Sequence, residues 1–226
     1  MKLGGIHSPG WCRWLKYLEG VEILPAGNPF ISVSGKKRGS VTLRCEHEDS
    51  NIVHIDLITQ SEIISVCETE ECRGRVFKEG NCDVVIKNLI FSDAGKYTLR
   101  IYYNNDQREL ERQIRTYQLH IHDEISVKTG EELKMSVLVS DADKVKTNSS
   151  GEWKEIWTRD HGVQSDRMND DNDGNLIIKS FLDSDAGTYR VLDTEGETLI
   201  TVTVRGERNS YLCRNIIFKQ QIHTKL

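Results

Sequence analysis

The 226 residues, 37% apolar and 29% charged, are enough for two domains of about 100 residues and describe a globular protein with a wet surface, neither disordered nor membrane-embedded. The net charge of −5 is uneven: residues 1–20 hold +2 and 205–226 hold +4, leaving −11 on residues 21–204. An acidic body argues against nucleic acid as a partner, since neutralising phosphates needs a basic face, and no run reaches the ~18 apolar residues of a membrane-spanning helix.

In chain order, "MKLGGIHSPGWCRWLKYLEG" opens the sequence without the apolar run and small-residue cleavage site of a secretory signal, and is expected to be an N-terminal extension covering 1–26. From there the pattern is period two, the mark of half-buried strands. Val41, Leu43 and Cys45 share a phase, as do Val84 and Ile86, then Tyr97, Leu99 and Ile101, then Tyr117, Leu119 and Ile121. A second series follows in Leu133, Met135 and Val137, Leu176 and Ile178, Tyr189 and Val191, and Ile200, Val202 and Val204. Turn clusters such as "SGKKRGS", "NNDQ", "DNDGN" and "DTEGE" separate them, which points to antiparallel β-sandwiches. The two series are copies. "VVIKNLIFSDAGKYTL" (84–99) aligns without a gap on "LIIKSFLDSDAGTYRV" (176–191), and the same offset of 92 carries "VTLRC" onto "LKMSV". The expected units are 27–122 and 123–205, joined with almost no linker and followed by a basic tail over 206–226.

A B-strand "GSVTLRC", E-strands "VVIKNL" and "LIIKSF", and two D-x-G-x-Y turns entering strand F resemble the immunoglobulin superfamily over about 180 residues. The resemblance implies an all-β chain of two tandem immunoglobulin-like sandwiches, the first V-like and the second I/C2-like. It implies a tyrosine corner in each: Asp93, Gly95 and Tyr97, then Asp185, Gly187 and Tyr189. The aspartate accepts a hydrogen bond or an arginine, the glycine allows close backbone approach, and the tyrosine returns its hydroxyl to upstream backbone. The cysteine that ends such a motif is replaced by Leu99 and Val191. In the second unit Val137 also stands at a core cysteine position, so that sandwich depends on packing, with Trp157 matched to the core tryptophan of strand C and Trp153 as the alternative. In the first unit the same place offers Ile55 or Leu57.

Cys45 stands at the B-strand cysteine position without its usual partner. With Cys67, Cys72 and Cys82 nearby, three pairings are open. Cys82 shares the inward phase of Val84 beside the end of strand B, which favours Cys45 with Cys82 and Cys67 with Cys72. Free thiols and a zinc site are the competing readings, and no C-x-x-C supports the latter. Cys12 and Cys213 lie outside both units.

The acidic stretch "SDRMNDDNDG" (165–174) departs from the EF-hand pattern and reads as a solvated turn. No P-loop, G-x-S-x-G, G-x-G-x-x-G or metal-binding histidine spacing occurs, so no catalytic residue, cofactor or metal is expected. Asn148 in "NSS" is a glycosylation sequon. Together these features lead to a non-enzymatic recognition or adhesion module resembling the ectodomain of an immune or cell-surface receptor. Its expected partner is a protein, either a different one or a second copy, and its expected compartment is extracellular. The expected binding face is the outward phase of strand F, Thr98, Arg100 and Tyr102, with Arg108 from the F–G segment. An intracellular pair of the muscle-filament type is the alternative, since such domains share the turn and dispense with disulfides.

Overall fold

A computed structural model describes residues 30–46, 51–68 and 74–207. Cys12, Cys72 and Cys213, the whole N-terminal extension and nearly all of the tail lie outside the described residues, and so does the expected pairing of Cys67 with Cys72. The first half contains β1 (Ile31–Lys36), β2 (Ser40–Leu43), β3 (Ile52–Ile58), β4 (Ile63–Ile64), β5 (Val76–Glu79), β6 (Asp83–Lys87), β7 (Gly95–Asn104) and β8 (Leu110–Lys128). The second half adds β9 (Leu133–Met135), β10 (Lys144–Asn148), β11 (Lys154–Thr158), β12 (Gly162–Val163), β13 (Met168–Asp170), β14 (Leu176–Ile178), β15 (Gly187–Leu192) and β16 (Thr198–Glu207).

These strands form immunoglobulin-like β-sandwiches. One ten-stranded sheet runs β12-β11-β10-β15-β16-β8-β7-β3-β4, with β1 also paired to β8. A three-stranded sheet, β2-β6-β5, covers it in the first half, and β13-β14-β9 covers it in the second. The apolar phases read from the sequence meet between the layers, with Leu43, Leu57, Leu99, Ile101, Leu119 and Ile121 fully buried in the first half. Val137, Ile178, Tyr189, Val191 and Val202 do the same in the second. Burial of each such side chain stabilises by about 1.5–3 kcal/mol.

The two halves share β8. It pairs antiparallel with β7 from Leu110 to Leu119, parallel with β1 from Tyr117 to His122, and parallel with β16 from Ile121 to Lys128. The 122/123 boundary therefore falls inside one unbroken strand. Between β7 and β8 only residues 105–109 turn the chain. Strand C of the second half corrects another expectation: the strand paired to β15 is β10, where Val145 opposes Val191. Trp157 sits one strand further out, opposite Val145 on β11. It is still buried, at 7% exposure, and its Nε1 donates to Asp170 Oδ2 at 2.9 Å.

Cys45 and Cys82 form a disulfide with a Cα separation of 5.7 Å. Leu43 pairs with Val84, so the cysteines continue the β2–β6 register by one more inward pair. The bond joins neighbouring strands of one sheet and does not cross between the layers. Asp83 Oδ1 accepts the Cys45 amide at 2.8 Å. The bonded residues are 37 apart in sequence, and closing a loop of that size is worth about 3–4 kcal/mol in the chain-entropy account. Replacing both cysteines by alanine should lower unfolding free energy in urea by that amount; a loss below about 1 kcal/mol would mean that packing carries the site alone.

Candidate functional site

Each half contains a corner built on D-x-G-x-Y. In the first, Tyr97 Oη donates to the Asp93 carbonyl at 2.7 Å, and Asp93 Oδ2 accepts the Ile90 amide at 2.9 Å. Arg75 grips the same carboxylate with two bonds of 2.7 and 2.8 Å. The second corner repeats this arrangement: Tyr189 Oη to the Asp185 carbonyl at 2.7 Å, the Leu182 amide to Asp185 Oδ2 at 2.8 Å, and Arg167 to both Asp185 oxygens at 3.0 and 2.6 Å. The arginines were missed in the sequence, although Arg75 and Arg167 also lie 92 apart. Burial, then the neighbouring Asp185, pushes the Tyr189 hydroxyl up to about 12. Tyr97 is raised above its usual value by burial first and Asp93 second. Both therefore stay protonated as donors. Nothing in these corners is exposed as a nucleophile, and their task is to fix the turn into β7 and β15.

The outer face of the large sheet in the first half has a different character. Along β7, Thr98, Arg100 and Tyr102 stand in one outward column, each half-buried. Across from them on β8 are Thr116, Ile114 and Arg112, and on β3 Ile58, Asp56 and His54. Ile63 of β4 lies beside Ile58. Sequence reading missed the apolar members, Ile63 and Leu110, which are 66% and 63% exposed, and Ile114 at 36%; the even-numbered phase of β8 was the available signal. Arg108 does not join the column and occupies the β7–β8 turn at φ +63°. Arg100 Nε, Thr116 Oγ1 and both amide atoms of Gln118 are sealed from solvent without a hydrogen-bond partner. Gln118 belongs to the same outward phase and is only 8% exposed. His54 Nε2 lies 2.8 Å from Asp56 Oδ1.

Where the halves meet, Lys96 Nζ contacts Glu195 Oε2 at 2.6 Å and His120 Nε2 lies 2.9 Å from Thr201 Oγ1. Arg159 ties down the loop after β9 by donating to the carbonyls of Val139, Ser140 and Ala142. A crevice of about 500 Å³ there is lined by Arg75, Asp93, Lys96, Ser140 and Asp141. Its cations are already engaged. Asn148 ends β10 half-buried, with Oδ1 sealed from solvent. Among the described residues the one trio with metal-ligating atoms close together is Cys45, Cys82 and Asp83, whose sulfurs are already bonded to each other.

No protein-family description matches the chain, and no curated protein matches it. Among solved structures it is similar to CD84, at 20% identity over 41% of this chain and 97% of that one, with a TM-score of 0.33. It is similar to murine CEACAM1b at 16% identity over 76% and 92%, TM-score 0.31. The four N-terminal immunoglobulin domains of Dscam1 isoform 8.4 give 17% over 80% and 45%, TM-score 0.33. Likenesses of this size say nothing about partner or compartment.

Two measurements probe the corner and the junction. Tyr189→Phe should cost about 1 kcal/mol in urea unfolding, since a buried carbonyl loses its donor; no change would mean that ring packing alone holds the turn. Burial, followed by His122 and Arg190, lowers the His120 pKa below its usual 6.5. The unfolded chain then binds this proton more readily, so stability is full above about pH 6.5 and declines as pH falls toward the folded value. Melting temperature should drop between about pH 7.5 and pH 5.5, and His120→Gln should flatten that slope; an equal slope in the variant would rule His120 out.

Proposed function

We propose that the chain is a non-enzymatic recognition module of two immunoglobulin-like units, meeting within β8, that binds a protein partner through the outer face of β3, β7 and β8. The observation that carries this reading is the composition of that face. Exposed Ile63, Leu110 and Ile114 surround Tyr102 and Arg100, and arginine and tyrosine anchors set among apolar contacts are what protein interfaces use.

The Cys45–Cys82 disulfide supports an extracellular compartment, because such bonds persist in oxidising surroundings, and Asn148 is then a proposed glycan site. The muscle-filament alternative draws on one observation, the aliphatic pair Val137 and Val191 in the second core. Thiol titration of unreduced, denatured protein from its native source separates them. The extracellular reading expects fewer than the six thiols of the sequence; six reactive thiols would place the chain in a reducing compartment.

The face itself is tested with avid tetramers of the chain screened against a library of cell-surface proteins. Arg100→Ala with Tyr102→Ala should weaken the selected interaction at least about tenfold, worth about 1.4 kcal/mol, while the melting curve is unchanged. Full retention of binding by a folded double variant would put the interface elsewhere.

A further inference from the structure

We propose that this face takes the acidic β11–β12 edge of a second copy of the same chain, so that copies associate head to tail. The proposal rests on the reading of the β7–β8 face as a partner surface and names its occupant.

Charge is divided between the halves. Residues 27–122 carry 13 Lys/Arg against 14 Asp/Glu, whereas residues 123–205 carry 10 against 18. On and beside this face Arg100, Arg108 and Arg112 make no ion pair among the described residues, unlike Arg75 and Arg115, which hold Asp93 and Glu46; the other unpaired cations of this half, Lys36, Arg38 and Arg44, lie around β1 and β2. In the acidic half Arg167 and Lys134 neutralise Asp185 and Asp171. Glu152, Glu155, Asp160 and Asp166 are exposed and have no ion pair among the described residues. These four flank β11 and β12, the end of the ten-stranded sheet away from β7. Two open recesses of about 480 Å³ each lie along this edge. One is lined by Glu155, Asp160 and His161, together with Lys144, which pairs with Asp143, and Arg159, which is held by backbone carbonyls; the other is lined by His161, Asp166 and Asp170.

Within one molecule Arg108 and Arg112 do not reach the acidic edge. Four strands separate β11 from β7, and β7 and β16 pair with successive lengths of β8, Leu110–Leu119 and Ile121–Lys128, so Arg108 and Arg112 stand at the end of β8 remote from the second half. A face-to-face pairing of two identical faces leaves the unpaired carboxylates of the β11–β12 edge unused. The complementary arrangement joins two different surfaces. Such a heterologous contact leaves one basic face and one acidic edge open at the ends of every assembly, so it extends or closes into a ring rather than stopping at a dimer. Opposite charges steer the encounter, and salt screens it.

The test is sedimentation of the full chain over about a hundredfold concentration range, in about 50 mM and about 500 mM salt. Weight-average mass should rise past the dimer in low salt and fall toward the monomer in high salt. Arg108→Glu with Arg112→Glu should abolish association, and so should Glu155→Lys with Asp166→Lys. Mixed in equal amounts, the two double variants should associate again, since each now offers what the other lacks. These side chains are exposed, and Arg→Gln and Glu→Gln versions serve if a charge reversal lowers the melting temperature. A wild type that stays monomeric throughout overturns self-association and leaves the face open to a different protein. Association lost in the arginine variant but intact in the carboxylate variant means face-to-face pairing and overturns the head-to-tail contact. Association indifferent to the arginine variant overturns this proposal and the assignment of the face together.

Discussion

The unbroken run of β8 is the constraint on which the rest of the molecule depends. A strand alternates its side chains between two faces and cannot change that parity without a bulge. Because Leu110–Lys128 is continuous, Tyr117, Leu119, Ile121 and Val127 all enter the core, while Arg112, Ile114, Gln118 and His120 all take the other side. The outer face of the first half thereby passes onto that of the second, with no flexible linker between them. His120 beside Thr201 and Lys96 beside Glu195 add contacts to a geometry the backbone already sets.

Local turns are held by a second device, used twice. An aspartate fixed by an arginine, a tyrosine hydroxyl and a backbone amide orients the entry into β7 and β15. The two corners match in setting, with Arg75 and Arg167 at 41% and 45% exposure over Asp93 and Asp185 at 11% and 8%. Solvent screening leaves both arginines contributing little beyond geometry. The first half adds a disulfide to this device. The second half relies on the corner and on valines at 1% exposure.

What could be read from residues alone followed from repetition and parity. The offset of 92 located both corners, and extended by one more step it would have found Arg75 and Arg167. Period-two alternation identified most buried phases, because a core face imposes apolar identity on every second residue. It failed where burial is one-sided or weak: β1 and the residue before it show Ile31 and Phe30 to solvent and left no clean pattern. It also failed at the junction, where His122 and Asp123 look like a boundary although the backbone runs through them. Trp157 misled for another reason. A tryptophan suggests strand C by its type, whereas Val145 fills that position and the indole packs from β11 with its nitrogen donating to Asp170. The binding face was half legible, since Arg100 and Tyr102 stand out by residue type. Leu110, Ile114 and Ile63 gain their meaning only once register places them beside the arginines.

One consequence of the topology concerns mechanical load. Both β1 and β16, the first and last described strands, run parallel to β8. Pulling the two ends of the molecule apart slides β1 backward and β16 forward along the same central strand, so the hydrogen bonds of each ladder are strained together instead of opening one by one. The Cys45–Cys82 bond lies off this path, in the covering sheet, and keeps the segment between β2 and β6 from paying out. The chain is therefore built to be stiff in tension along the direction in which its two halves are joined.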